Sequence, residues 1–352
     1  MSADSSSTAG SSAPRRSLPE TLVYGGQAVI EGVMMRSPTH VAIAVRKPDG
    51  EIVVDRRRVV TYAARHKWAR FPGIRGIFAL IEALGLGMSA LNYSAEIAAA
   101  AEAEKERRKA AQKGTEAQGP DHAEAAVERD SQAGKKRAIP AWLMVGNVIV
   151  SLAIFLGIFI YVPTLAAGYI VPQAERAWVL ANAVEGGIRL LLVVGYMAGI
   201  SLWGPIRRIF HYHGAEHQVI NAYEAGEPPT VEAAAAHSPL HGRCGTTFLV
   251  VVILLKIVAG VFVGWPSLAV RGLLRLALLF PVASIAYEVT KLAAKYPDNL
   301  LVRAIIAPGM WIQRLTARPA TPDMLAVSVR AFEAVQSDTA QLQEPAASVA
   351  AS

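Results

Sequence analysis

The strongest constraint on the fold is an uncharged apolar run, WLMVGNVIVSLAIFLGIFIY, at residues 142–161. At about 1.5 Å of rise per residue, a helix of this length matches the roughly 30 Å hydrocarbon core of a bilayer. The whole chain carries 18% charged residues, fewer than the roughly 25% usual in soluble domains. We therefore expect an integral membrane protein.

Three further apolar runs predict transmembrane helices near 188–203, 246–264 and 273–288, which gives about four spans. Arg189 lies at the edge of the first of these runs, and the last two runs contain Lys256 and Arg275. An unpaired charge that faces lipid is costly, so both helices should pack against protein. The membrane part of the chain should therefore be a packed helical bundle.

Residues 71–100 form another apolar segment, but it contains Arg75, Glu82 and several glycines. These residues favour an amphipathic helix at the membrane interface, and a full crossing is the alternative.

A small soluble β element is expected at 21–70. VAIAVRK alternates apolar and polar residues, Pro48-Asp49-Gly50 interrupts the pattern, and EIVVDRR resumes it. Two such runs around a turn predict a β-hairpin. Upstream, Gly25-Gly26 implies a turn or a close backbone approach.

The remaining segments are polar. The first twenty residues have no apolar core of a signal peptide and too few apolar side chains to fold. The fold class is mainly α, a polytopic helical membrane protein with a small N-terminal β-hairpin element and interfacial helices. The predicted organisation is a disordered N-terminus at 1–20, the β element at 21–70, an interfacial helix at 71–100, a charged linker at 101–139, a membrane domain at 140–335 and a disordered tail at 336–352.

Basic residues beside the spans predict the orientation. By the positive-inside rule, both termini and a His-rich loop at 206–245 lie in the cytoplasm of a multi-pass protein of the cell membrane. The net charge of +7 is read as this orientation signal, so membrane lipids are expected partners and nucleic acid is not. The residues on the predicted cytoplasmic side are Lys135, Lys136, Arg137, Arg207, Arg208, Lys291 and Lys295.

Five of the eight histidines fall between residues 211 and 241, shortly before the single cysteine. If this segment is helical, His213 and His217 share one face about 6 Å apart. Such a pair needs one or two further ligands to hold a tetrahedral Zn²⁺. Mixed nitrogen, oxygen and sulfur ligands favour zinc, whereas His and Glu alone would suit Fe²⁺ or Mn²⁺. The further candidate metal ligands are Glu224, His241 and Cys244.

Glu216 stands where the pattern H-x-x-E-H puts a general base. The chemistry would be metal-assisted hydrolysis of a lipid-linked or membrane-protein substrate. The alternative is a non-enzymatic transporter or assembly factor in which the histidine cluster is structural. Cys244 beside Arg243 could also be a thiolate of lowered pKa, with Thr246 or Thr247 capping the third span.

Two distant carboxylates could support this site. The loop at 206–245 is expected to pack near the hairpin and near the Tyr287-Glu288 end of the last span. Glu31 would then be a further ligand or orient a ligating histidine, and Glu288 would orient one from the other side.

Four blocks of sequence carry a resemblance. GGQAVIEGVMMRSP, YHGAEHQVINAYEAGE, HGRCGTTF and NLLVRAIIAPGMWIQRLT together resemble the YqhQ-like bacterial membrane proteins over roughly residues 21–335. That family is of unknown function, and its members are labelled predicted metal-dependent enzymes. The linker at 101–139 departs from the compact pattern and is interpreted as an insertion. The resemblance implies a metal site at His213, Glu216, His217, Glu224, His241 and Cys244, and it implies no substrate.

Overall fold

The structure is a computed structural model in which residues 24–117, 141–296 and 299–350 are described. The expectations for residues 1–20 and 118–139 lie outside the described residues. Most of the described chain is helical, as predicted. The helices are α1 (Tyr62–Arg65), α2 (Arg75–Ala117), α3 (Ala141–Leu156), α4 (Val162–Ile170), α5 (Trp178–Ser201), α6 (Gly204–Glu224), α7 (Val231–Ala236), α8 (Gly245–Val263), α9 (Leu268–Ala277), α10 (Leu279–Lys295), α11 (Leu300–Thr316) and α12 (Pro322–Ala350).

The N-terminal β element is a four-stranded antiparallel meander in the order β1-β2-β3-β4. The predicted hairpin is confirmed, because Arg46 pairs with Ile52 around the Pro48-Asp49-Gly50 turn. Gly50 adopts a positive φ of 91°, which glycine accepts without steric cost. The strands are β1 (Gly25–Val29), β2 (Gly32–Arg36), β3 (His40–Arg46) and β4 (Ile52–Arg58).

Helices cover both faces of this sheet. Val41 and Ile43 of β3 lie on one face with Ala90 of α2. Ala42 and Ala44 point to the other face, which packs on α6 and α12. The centre of β3 is apolar throughout because both of its faces are covered, as in other buried strands.

Among the described residues, five helices are long and apolar enough to cross a membrane, one more than the predicted count of about four. The additional candidate is the first part of α2, in the region predicted to be interfacial. The five segments are Arg75–Glu106, Ile149–Ile170, Trp178–Ser201, Gly245–Val263 and Leu268–Ala293.

The packing of α2 distinguishes it from the other four. Its middle, around Ala90, packs on the sheet. At its start, Arg75 forms an ion pair with Glu288 of α10, and the Ser284 hydroxyl donates to the Gly73 carbonyl. α2 therefore connects the sheet to the membrane helices.

Two spans begin earlier than the sequence suggested, at Trp178 and Leu268. The charged residues that resembled span boundaries lie inside the bundle instead. Glu185 accepts hydrogen bonds from both Arg189 and Arg275, so these charges compensate one another at depth. The first span also ends later, because a π-helical turn at Gly157–Tyr161 continues α3 into α4.

The C-terminal helix α12 extends through residues 336–350, part of the predicted disordered tail. Its first half packs against the sheet, where Leu325 and Phe332 are fully buried. The sheet, α6 and α12 thus form one compact unit.

Candidate metal centre

The helix predicted from His213 to Glu224 is confirmed as the second half of α6. One side of α6 joins the sheet core through Tyr212 and Val219. On another side, Gly214 lies so close to the Arg318 carbonyl that a Cβ would overlap it. α6 is therefore held between the sheet and the segment that follows α11.

Both histidines of the predicted chelating pair are fixed by backbone carbonyls. His213 Nδ1 lies 2.7 Å from the Thr316 carbonyl oxygen, and His217 Nδ1 lies 2.6 Å from that of Pro239. Because a carbonyl only accepts, each Nδ1 carries the proton, and in the neutral ring Nε2 keeps its lone pair. Metal-ligating histidines are usually held in this way.

Cys244 completes a group of three potential ligands. Its Sγ lies 3.1 Å from His213 Nε2, and the ligand atoms of His213, His217 and Cys244 all lie within 4.8 Å of one another. Cys244 is also the N-cap of α8, where Sγ accepts the Thr246 N–H at 3.4 Å. The sequence had assigned this cap to Thr246 or Thr247.

Protonation in this group suits metal binding. Burial raises the pKa of the Cys244 thiol, but interactions with His217 and Thr246 outweigh it, so the net pKa is below the usual value. Burial lowers the pKa of His217, which favours the neutral imidazole. Thiolate and neutral imidazole are the forms that bind metals.

Glu216 is buried beside this group, at 5% exposure, and lies against β1. It accepts the Gly26 N–H, and a Cβ at Gly26 would lie 3.0 Å from its Cγ and Cδ, so the close approach predicted for Gly25-Gly26 is present. Burial raises the pKa of Glu216 to about 8, although His213 and the Gly26 N–H act against this shift. Such a carboxyl can exchange a proton near neutral pH.

Glu224 lies in a neighbouring pair. It accepts a hydrogen bond from Arg243, and its Oε2 lies 3.4 Å from His241 Nε2. Burial alone would raise the pKa of Glu224, but His241 and Arg243 lower it to about 2. Glu224 shares a helix face with His213 but lies about 16 Å further along the axis, because eleven residues separate them.

His241 lies between the two groups, since its ring centroid is 5.6 Å from that of His217. The structure thus brings three of the five predicted ligands together and places His241 next to them. Glu224 is further away.

Three amide side chains that the sequence reasoning missed hold the loop before α8. Gln313 is fully buried, accepts the His241 N–H at 3.0 Å and donates to the His241 carbonyl at 2.8 Å. Asn221 donates to the carbonyls of Ser238 and Leu240, and Gln218 donates to those of Ala234 and His237. The only sequence signal was the position of these amides within apolar helix faces.

The two distant carboxylates do not reach the three-residue group. Glu31 accepts hydrogen bonds from Arg208 and from the Tyr212 hydroxyl, near the start of α6. Glu288 pairs with Arg75 of α2. Both side chains were predicted to assist the metal ligands. Each carboxylate instead pairs with a nearer arginine.

Comparisons with known proteins agree with the sequence resemblance. The model of a family described as "Protein of unknown function (DUF1385)" matches residues 71–338, which include His213, His217, Glu224, His241 and Cys244. The uncharacterized protein YqhQ of Bacillus subtilis (strain 168) is 30% identical over 312 residues, which cover 88% of this chain and 91% of the relative. No solved structure matches. The chain therefore belongs to the DUF1385 family of proteins of unknown function.

Proposed function

We propose that this protein is a membrane-embedded, metal-dependent hydrolase whose divalent metal, zinc, is held by His213, His217 and Cys244. The observation that carries the proposal is the convergence of two Nε2 atoms and one thiol sulfur, with both Nδ1 atoms fixed by carbonyls. A purely apolar core would not need two histidines held in this tautomer.

The donor set fits zinc, because zinc favours imidazole nitrogen and thiolate sulfur in a four-coordinate site. When bound, such an ion lowers the pKa of a coordinated water and polarises a substrate carbonyl. The protein's own contribution is to fix these donors and to limit access of bulk water, since His217 and Cys244 are buried.

Glu216 is the residue proposed to move the proton. Its carboxylate lies between β1 and the ligand group, where both His213 and Cys244 influence it electrostatically. It would accept a proton from the attacking water and deliver it to the leaving group. Gly26 would position Glu216 for this role, because its N–H holds the carboxylate and its missing side chain leaves room.

The position of the site suggests the substrate class. Cys244 immediately precedes the apolar helix α8, so the ligand group lies where the chain meets the membrane. A substrate that presents its scissile bond close to the bilayer would fit this position best. We propose a lipid-linked molecule or a segment of another membrane protein.

Metal content of the detergent-purified chain tests the site. We expect about one metal ion per chain in the wild type and less than about one tenth of this in His213→Ala/His217→Ala, because each lost ligand weakens binding severely. His211→Ala/His237→Ala is the matched control, since it also removes two histidines of the same segment but leaves the three-residue group intact. Metal retained in the first variant, or none in a folded wild type purified without chelator, would refute the proposal.

Hydrolysis has its own test. Glu216→Gln should keep the metal but lose turnover, because the amide cannot accept the proton. Lipid and membrane-protein profiles of cells that produce wild type or Glu216→Gln should then differ by a hydrolysis product present only with the wild type. Identical profiles would contradict the proposed hydrolase activity.

A second candidate function has a specific observation in its favour. His241 lies next to His217 and could complete a four-ligand set of His213, His217, His241 and Cys244. A closed set without an open position is typical of structural zinc. The chain would then be a non-enzymatic membrane factor, such as a transporter or an assembly partner. In that case His241→Ala would lose metal as severely as His213→Ala, and Glu216→Gln would behave like the wild type.

A further inference from the structure

A second cluster of charged residues lies inside the membrane helices, far from the histidines. Four cations and one carboxylate line a single cavity between α5, α8 and α9. The enclosed part of the cavity is small, about 20 Å³, and the cavity is partly open, so a group larger than a water molecule would sit at its mouth. Ionisable residues at this depth usually mark a functional site, because burying them in lipid is costly. The charged lining residues are Glu185, Arg189, Lys256, Arg271 and Arg275.

Among the described residues that line the cavity, Glu185 is the one carboxylate, and both of its oxygens have partners. Glu185 is 2% exposed, and one of its oxygens pairs with Arg189 while the other pairs with Arg275. Arg189 also donates to the Phe159 carbonyl, and Arg275 also donates to the Thr164 hydroxyl. Both oxygens of Glu185 are therefore already paired with an arginine.

Two cations of the cavity are left without a carboxylate. Arg271 donates to the Pro266 carbonyl and stacks 3.8 Å above the Trp265 ring, and Glu185 and Glu175 attract it only from a distance. Within the part of the chain that the structure describes, the Lys256 ammonium has no hydrogen bond and no ion pair. Partly buried positive charge in excess requires an anion.

The cavity lies at the opposite end of α8 from the metal centre. Cys244 caps the start of this helix, and Lys256 comes twelve residues later, about 18 Å along the axis. The other lining residues lie in the first turns of α5 and in α9, beside the loop between α8 and α9. The cavity is therefore separate from the proposed metal centre.

We propose that this cavity binds a phosphate-bearing anion, with Lys256 and Arg271 as its direct partners. Phosphate suits the site because guanidinium and ammonium groups are its usual ligands in proteins. In a membrane the abundant source of such a group is an anionic lipid headgroup. The inference does not depend on the proposed hydrolase activity.

Binding of defined probes to the delipidated, detergent-purified full chain tests the proposal. The probes are short-chain phosphatidylglycerol, the zwitterionic short-chain phosphatidylcholine and inorganic phosphate, and dissociation constants are measured by native mass spectrometry and thermal shift. We expect phosphatidylglycerol to bind at least about tenfold more tightly than phosphatidylcholine, the ratio expected from one charge-assisted hydrogen bond. Phosphate alone binding as tightly would identify a free anion as ligand, whereas binding of the lipid only would identify a headgroup.

Variants connect the binding to the cavity. Lys256→Met should weaken phosphatidylglycerol or phosphate binding about tenfold, and Lys256→Arg should retain it, because the arginine keeps the charge. Lys295→Met is the matched control, since Lys295 is exposed at the end of α10. Should Lys256→Met fail to fold, Lys256→Gln carries the same test. Equal binding of both lipids, or wild-type binding by the folded Lys256 variants, would overturn the proposal.

Discussion

At the scale of single residues, the group of His213, His217 and Cys244 depends on side chains outside the group. Gln313 binds both the backbone N–H and the backbone carbonyl of His241, and its side-chain amide also donates to the Thr247 hydroxyl at 2.6 Å. One buried amide therefore connects α11 to the loop and to the first turn of α8. These are the elements that position Cys244.

Replacing Gln313 should be costly. Gln313→Ala removes the hydrogen bonds that the Gln313 amide forms with the His241 N–H and carbonyl, and a buried polar group that loses its partner costs about 1–3 kcal/mol. We expect a loss of about 2–4 kcal/mol in the free energy of unfolding, together with weaker metal retention. Denaturant titration in detergent and metal analysis measure the two effects.

Gln313→Glu is the control for this prediction. Its carboxylate can still accept the His241 N–H but can no longer donate to the His241 carbonyl, so an intermediate loss of stability is expected. Wild-type stability of Gln313→Ala would show that the loop is held by other contacts.

The convergence of His213, His217 and Cys244 could be predicted from the sequence better than the side chains that support them. His213 and His217 were found from their i, i+4 spacing, and Cys244 from its position shortly after them. Glu224 was predicted to belong to the same site because it shares a helix face with His213, but it lies about 16 Å further along the helix axis. Gln313 could not be identified, because its partners lie more than sixty residues away in sequence.

At the scale of elements, α6 and the segment after α11 lie unusually close together. His213 donates to the Thr316 carbonyl, His211 Nδ1 lies 2.7 Å from the Pro319 carbonyl oxygen, and the Arg318 N–H donates to Phe210. This contact requires Gly214, because any Cβ at this position would overlap the Arg318 carbonyl. The tautomer of His213 thus depends on the packing of two elements.

Gly214→Ala tests this contact. The added methyl group should push the segment away from α6, lower stability by about 1–3 kcal/mol as overpacking does, and weaken metal binding through the lost His213 hydrogen bond. Thermal unfolding and metal content are the measurements.

The matched control is Gly195→Ala in α5. A Cβ at Gly195 meets nothing within 4 Å, so this substitution should be neutral or stabilising by up to about 1 kcal/mol, the difference in helix propensity. Equal behaviour of the two variants would mean that α6 and the segment can separate without consequence.

Element types were predictable where the periodicity was strong. The hairpin and the apolar helices are present, because alternation and continuous hydrophobicity report local structure directly. Span ends were less predictable, because Glu185, Arg189 and Arg275 compensate one another only after the helices pack. In the sequence alone, each of these charged residues resembles the end of a transmembrane span.

At the scale of the whole molecule, the contact between the sheet and α6 restricts the membrane topology. The two pack on each other, so they lie on the same side of the bilayer. Three apolar segments separate them in sequence, in α2, in α3–α4 and in α5. Only an even number of crossings returns the chain to its starting side. Because the middle of α2 packs on the sheet, we expect α2 to stay on that side while the other two segments cross.

Labelling of introduced cysteines tests this topology. Asp49→Cys in the hairpin turn and Glu106→Cys in α2 should react with a membrane-impermeant maleimide from the same side, and Arg176→Cys before α5 from the opposite side. The wild type supplies the background, because its single cysteine is buried. If Glu106→Cys reacted from the side opposite to Asp49→Cys instead, α2 would be a true span.

One helix takes part in both candidate sites. α8 begins at Cys244 on the inner face predicted by the basic residues and carries Lys256 three turns further out. A single α-helix of this kind is stiff over its length, so an axial shift at one end moves the other by the same amount. The continuous backbone hydrogen bonds of α8 thus connect the two faces of the bilayer mechanically.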